Sequence, residues 1–230
     1  GTTTITGTDI TLNNTANNFV GAVGVTTTGS DVVLVDAGAI VLGESTVTGF
    51  YQVTAGGAVT QLADTKLTIT GATTINAGAN AVTLENTSND FSKTVDDILG
   101  GAVGITGTAV SIIDTNDLVL GTTTTTGNYT VVAGGGITDS GTLTIGDNAA
   151  VDAATFTAGD GESIILDQVS SELPVHEFLA ALTFAAPSGE TLNDLTVKSI
   201  SSVGLAALTL AGNLSIQAGE GTQSGAWGVP

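Results

Sequence analysis

The sequence predicts an all-β fold, a parallel β-helix (solenoid), and three observations carry the prediction. The first is a long internal repeat: Ile10 to Phe19 (ITLNNTANNF) returns as Val82 to Phe91 (VTLENTSNDF) and, decayed, as Ile164 to Leu173 (IILDQVSSEL). Self-similarity at such a period marks stacked units that bury their apolar faces only against neighbours. The second is composition. With 41% apolar residues the chain can fill a core, while 32 Gly, 3 Pro and 4% aromatics point to short Thr, Val and Ile strands cornered by glycine. The third is a recurring triad of apolar, Thr, apolar, whose period-two alternation puts two aliphatic side chains on one face and a hydroxyl on the other.

Taken along the chain, the triads are Ile10-Thr11-Leu12, Leu67-Thr68-Ile69, Val82-Thr83-Leu84, Leu143-Thr144-Ile145 and Leu208-Thr209-Leu210. Glycine turns such as Thr70-Gly71, Ala77-Gly78 and Ala158-Gly159 separate strands. The centres Leu67, Ile75 and Val82 lie about eight residues apart, so three strands make a coil of roughly 20 to 25 residues and the chain holds roughly ten coils. At about 4.8 Å per coil this is a rod on the order of 50 Å long. A narrow interior is expected to favour small β-branched residues, to leave little room for large aromatics, and to let identical polar residues stack as ladders. An immunoglobulin-like sandwich would need longer strands and usually a buried Trp; the single Trp here is Trp227, close to the end. Residues 1–230 read as one solenoid domain with long repeats at about 10–81, 82–163 and 164–230.

Other landmarks recur in order. GAVGV from Gly21 precedes VVLVDAGAIVLG, and GAVGI from Gly101 precedes SIIDTNDLVLG; GFYQVTAGG from Gly49, GNYTVVAGG from Gly127 and GNLSIQAGE from Gly212 follow. Two insertions break the pattern at the same landmark. Ser92 to Gly100 (SKTVDDILG) follows Phe91, and Pro174 to Leu182 (PVHEFLAAL) follows Leu173 as the one segment with a helical pattern. In a solenoid, equivalent positions lie on one side, so both excursions are expected to project from a common face.

The phrases Asn89-Asp90-Phe91 before Gly101-Ala102-Val103, Asp114 to Gly121 (DTNDLVLG) and Ala133 to Thr144 (AGGGITDSGTLT) resemble the repeats of filamentous-haemagglutinin-like and autotransporter-type bacterial β-helical adhesins. The resemblance covers nearly the whole chain. It implies a right-handed parallel β-helix, export across the bacterial envelope, an extracellular or cell-surface location, and service as a stalk or adhesive fibre. Partners would then be a surface glycan or protein of a host or neighbouring cell. With no secretion domain, membrane barrel or catalytic module beside the repeats and no Met, the chain is expected to be an internal portion of something longer.

Charge agrees with that setting. Three Lys and Arg against 22 acids give a net charge of −19, which argues against nucleic acid or an anionic membrane as partner, since both need clustered cations. A negative exterior keeps an extended rod soluble. No stretch of about 18 continuous apolar residues is present to span a bilayer. With no Cys, stability must come from stacked strands rather than disulfides.

Chemistry-bearing residues are sparse. A partner-binding face built on the two insertions would offer Lys93, Asp96, Asp97, His176, Glu177 and Phe178, against the plainer reading of neutral loop decoration. His176 beside Glu177 is the one His of the chain and has no Cys partner, so packing or solvation is favoured over metal binding or acid-base chemistry. Asp96 and Asp97 resemble a glycosidase pair only in being two acids; adjacent strand residues point to opposite faces, whereas the two carboxylates must flank a sugar. No catalytic residue and no cofactor are expected. Asp114 to Asp117, Asn89-Asp90 and Asp160 to Glu162 lack the spacing of a calcium loop. They read as turn formers bonding their own backbone, with weak surface calcium binding as the other reading. Thr2 to Thr4 and Thr122 to Thr126 raise an ice-binding reading, which needs a flat Thr lattice that irregular turns are expected to break. Trp227 is expected to pack over the end of the rod, with stacking on a sugar as the other reading. Two functions remain: a non-enzymatic stalk or adhesive repeat, and a self-assembling fibre or surface-layer subunit joining end to end through uncapped coils. A glycan-degrading β-helix is a third.

Overall fold

The structure, a computed structural model, describes residues 1–91, 101–147, 151–170, 173–174 and 176–219. Among these residues there are 26 strands and no helix. The strands form two long sheets of 11 and 13 members and one small pair. Successive strands pass back and forth between the two sheets, and every pairing in them is parallel, the arrangement of a β-solenoid with about nine turns.

Backbone register makes the coil visible. Ile10 stands beside Val32, Val32 beside Tyr51, Tyr51 beside Thr73 and Thr73 beside Val103. These steps are 22, 19, 22 and 30 residues, the longest containing 92–100, which lie outside the described residues. Alternation inside each strand selects the buried face. In Val32–Asp36 the side chains of Val32, Leu34 and Asp36 are buried and those of Val33 and Val35 are not. Leu34, Val53, Ile75 and Ile105 thereby stack as one interior column, each contributing about 1.5 to 3 kcal/mol by leaving water.

Four of the five triads are strands with inward aliphatics, all buried except the half-buried Leu12, and an outward Thr: Ile10–Leu12, Leu67–Ile69, Val82–Leu84 and Leu143–Ile145. Leu208 to Leu210 is not a strand. There Leu210 makes an isolated bridge to Leu192, and Leu208 and Leu210, half-buried, pack against the core without a strand of their own. The outward hydroxyls align from turn to turn. Thr60, Thr83, Ser111, Thr130, Thr155 and Thr183 stand side by side on six successive strands of one sheet. Thr6, Thr26, Thr46 and Thr68 form a second column. Irregular turns therefore do not break the Thr alignment, because variation in turn length is taken up at the corners while the strands keep register.

One corner explains the GAVG phrases. Val23–Thr27 faces two short strands of the next turn, Ile40–Leu42 and Ser45–Val47; Val103–Gly107 likewise faces Leu118–Leu120 and Thr123–Thr125. The bend between the paired short strands presses a carbonyl onto the strand below. A Cβ at Gly24 would lie 2.5 Å from the Glu44 oxygen, and one at Gly104 would lie 2.6 Å from the Thr122 oxygen. Only glycine admits so close a backbone approach.

Two further expectations are corrected. The segment 174–182 is not helical among its described residues: Glu177–Phe178 and the start of Ala181–Ala185 are strands, paired with Leu143–Ile145 and Ala153–Thr157. Each neighbour offers an unfilled row of N–H and C=O groups, and those bonds outweigh the local helix preference of Leu and Ala. An antiparallel pair, Val169–Ser170 with Leu173–Pro174, precedes them. Large aromatics do enter the interior. Tyr51, Phe91, Tyr129 and Phe156 are fully buried, and Phe156 stacks on Phe184 (5.4 Å between centroids) with Tyr129 (5.6 Å) and Phe178 (6.3 Å) edge-on.

Candidate functional site

Among the described residues the most elaborate polar construction is a bracket made three times, where the chain leaves one turn and meets the next. Each bracket spans three residues ending in Phe: Asn17 to Phe19, Asn89 to Phe91, and His176 to Phe178. The first residue's carbonyl accepts an N–H from the turn above, from Ala37 (2.7 Å), Thr115 (2.8 Å) and Ile200 (2.9 Å) in the three cases. The Phe N–H donates to a side chain of that same turn, Asp36 Oδ2 (2.6 Å), Asp114 Oδ1 (2.7 Å) and Ser201 Oγ (2.9 Å). Asp36 and Asp114 each close a turn of their own as well, accepting from the N–H of Gly38 (2.7 Å) and Asn116 (3.2 Å). In the third bracket Ser199 occupies the strand-end place of the two aspartates, and its hydroxyl lies 2.9 Å from that of Ser201.

In the second and third brackets the side chain of the first residue also reaches the turn below. Asn89 Oδ1 accepts the Leu67 N–H (3.0 Å), and its Nδ2 donates to Gln61 Oε1 (3.0 Å). His176 Nδ1 accepts the Leu143 N–H (3.1 Å), while its Nε2 lies 3.2 Å from Asp139 Oδ2 without hydrogen-bond alignment. Both side chains of this second pair have no solvent exposure. Asp139 is held further by the N–H groups of Asp167 (2.8 Å) and Gln168 (3.1 Å).

Burial dominates the electrostatics of the middle bracket. It pushes the Asp114 carboxyl up to about 7, against the N–H donors of Phe91 and Asn116, with neighbouring Asp90 adding to the rise. A carboxyl so placed changes charge near neutrality while holding a backbone turn.

The predicted residues fall in different places. His176 and Phe178 are buried, Phe178 on the inner face of the strand Glu177–Phe178 and His176 just before that strand, so neither side chain lies on the surface. Glu177 points outward beside Thr144, as Asp90 does beside Thr68. Lys93, Asp96, Asp97 and Trp227 lie outside the described residues. Of the acidic clusters, Asp114 holds its own turn and Asp117 Oδ1 accepts the Gly136 N–H (2.7 Å), both backbone tasks. No group of three or more His, Cys, Asp or Glu side chains is gathered as a metal site among the described residues. A surface cleft of about 390 Å3, lined by Thr60, Gln61, Asp64, Thr83, Glu85 and Asn86 among others, opens between two turns and offers hydroxyls, amides and two carboxylates.

Letter-by-letter reading ends the third copy of the ten-residue phrase at Ser-Ser-Glu-Leu, residues 170–173, and misses the bracket. Asn-Asp-Phe and His-Glu-Phe share only the acid and the Phe, and that shared pair is the signal available in the sequence.

A family profile described as repeats of unknown function (DUF5649) matches residues 1–26, 29–97 and 107–176. The chain belongs to this family of repeats. The second and third DUF5649 matches begin 78 residues apart, the offset that separates Asp36 from Asp114, Gln61 from Asp139, and Tyr51 from Tyr129. The third DUF5649 match ends on His176, the first residue of its bracket. No curated protein and no solved structure matches the chain.

Proposed function

We propose that the chain is a non-enzymatic structural stalk or adhesive repeat segment of a bacterial cell-surface or secreted protein of the filamentous-haemagglutinin or autotransporter type. It works as a stiff rod that holds a binding region away from the cell and requires no cofactor. The observation that carries this reading is the unbroken parallel ladder of the larger sheet, which runs from Ile10–Leu12 to Leu214–Ala218 with each turn hydrogen-bonded to the next. Such a ladder resists bending because every turn would have to give up several backbone bonds together. The aligned outward hydroxyls and the net charge of −19 suit a hydrated surface outside the cell.

Light scattering and negative-stain microscopy of the purified chain test the reading: separate rods of about 43 Å, nine turns at about 4.8 Å each, are expected. A second reading, assembly end to end, is favoured by the strand Leu214–Ala218. Its Leu214 and Ile216 are 55% and 37% exposed, although their partners Leu195 and Val197 in the previous turn are buried. Filaments that lengthen with concentration would replace the stalk by this fibre subunit. The adhesive half of the proposal has its own test. Removing 92–100, with Lys93, Asp96 and Asp97, is expected to reduce attachment to cells without unfolding the rod, and unchanged attachment would leave only the stalk.

A further inference from the structure

The middle and last brackets solve one problem with different chemistry. Asn89 gives the strand Leu67–Ile69 an amide oxygen and gives Gln61 an amide nitrogen; His176 gives Leu143–Ile145 its Nδ1 and turns its Nε2 toward Asp139. Gln61 and Asp139 end the equivalent strands Val59–Gln61 and Ile137–Asp139. Because Nδ1 accepts a backbone N–H, the ring described is the neutral tautomer with its proton on Nε2, which reproduces two of the amide's contacts, an acceptor for the strand N–H and a donor toward the strand-end side chain. An amide keeps that pattern at every pH. An imidazole can take up a second proton, and an imidazolium has two donors and no acceptor.

The two ring nitrogens therefore face opposite demands. A proton on Nδ1 would point at the Leu143 N–H and cancel that bond. The same proton would make a full ion pair with Asp139 in a site closed to water, where attraction between charges is much stronger than at the surface. We propose that His176 is a proton-operated latch: neutral, it pins the start of Leu143–Ile145 to the turn above; protonated, it releases the Leu143 N–H and turns toward Asp139.

Among the described residues the surrounding charges leave Asp139 as the deciding partner. Asp167, in the turn beside it, is engaged by Lys198 Nζ at 3.5 Å, and Glu177 lies on the outer side of the ladder beside Thr144. Phe178 covers the ring with its centroid 5.8 Å away, and Ser199 Oγ donates to the His176 carbonyl (3.2 Å), so neither adds a charge. The freed strand, Leu143–Ile145, is the link between Thr123–Thr125 and Glu177–Phe178. Release there loosens the join between two turns and leaves the others stacked, a local opening.

The test uses the whole chain. Its one histidine gives a single set of ring resonances, to be followed by NMR from about pH 7.5 to about pH 5, together with hydrogen exchange at the Leu143 and Leu67 amides corrected for intrinsic rates. Leu143 is expected to lose about tenfold in protection relative to Leu67, in step with the ring, the size expected for one backbone bond. The double change Asp139→Gln with His176→Asn, which transplants the amide pair, is expected to remove the difference. The latch is overturned if Leu143 and Leu67 respond alike, if the ring titrates without moving Leu143, or if the double variant keeps the response. Should that variant fail to fold, the coupling between ring and Leu143 in the unaltered chain decides.

Discussion

Asp36 and Asp114 hold equivalent turns, and Asp114 shows what burial does to such a residue. Its carboxyl is pushed up to about 7, whereas in an unfolded chain it would titrate near the ordinary value of about 3.9. The folded form thus keeps a proton that the unfolded form has lost, and this contribution to stability is complete below about pH 4 and fades as the pH rises to about 7. Urea unfolding at a series of pH values is expected to show a decline over that window that flattens in Asp114→Asn. An unchanged slope would place the titration elsewhere. Gly24 and Gly104 make a second prediction. Replacing either by Ala sets a Cβ within 2.6 Å of a backbone oxygen that cannot step aside, and a loss of about 1 to 3 kcal/mol in denaturant unfolding is expected. The same change at Gly29, whose added Cβ would meet nothing within 4 Å, separates crowding from backbone conformation because its φ of 150° alone carries any cost.

The strands differ more in what they pack against than in what they are. Phe156, in Ala153–Thr157, touches Tyr129, Phe178 and Phe184 and so joins three other strands through one side chain. Phe156→Ala is expected to cost about 3 to 5 kcal/mol, measured by urea unfolding, and to loosen the later turns before the earlier ones in hydrogen exchange. Much of this level was legible beforehand. Triads such as Leu67-Thr68-Ile69 announce themselves because the period of two is local, and the Gly-Ala-Val-Gly phrases because a backbone approach tolerates no other residue. The third bracket was hidden for a physical reason. A hairpin, Val169–Ser170 with Leu173–Pro174, displaces it along the chain, and a neutral imidazole standing for an amide is an equivalence of donor and acceptor geometry, not of letters. The pattern in 174–182 misled because helix periodicity says nothing of the open strand edges waiting beside it.

Across the whole molecule the acids outnumber the cations so heavily that the rod repels itself, and stacking turns at close spacing brings like charges nearer than an unfolded chain would. Raising ionic strength from about 0.01 M to about 0.15 M shortens the screening length from about 30 Å to about 8 Å. The thermal midpoint is therefore expected to rise with sodium chloride, and a flat or falling midpoint would show that self-repulsion is not the governing cost. A further result follows from the 78-residue offset between Asp36 and Asp114. Since each turn touches only the one before and the one after, copying or deleting a whole module creates one new junction however long the array becomes. Unequal crossing-over between such copies would lengthen or shorten the polymer within a lineage while every surviving seam stayed chemically familiar.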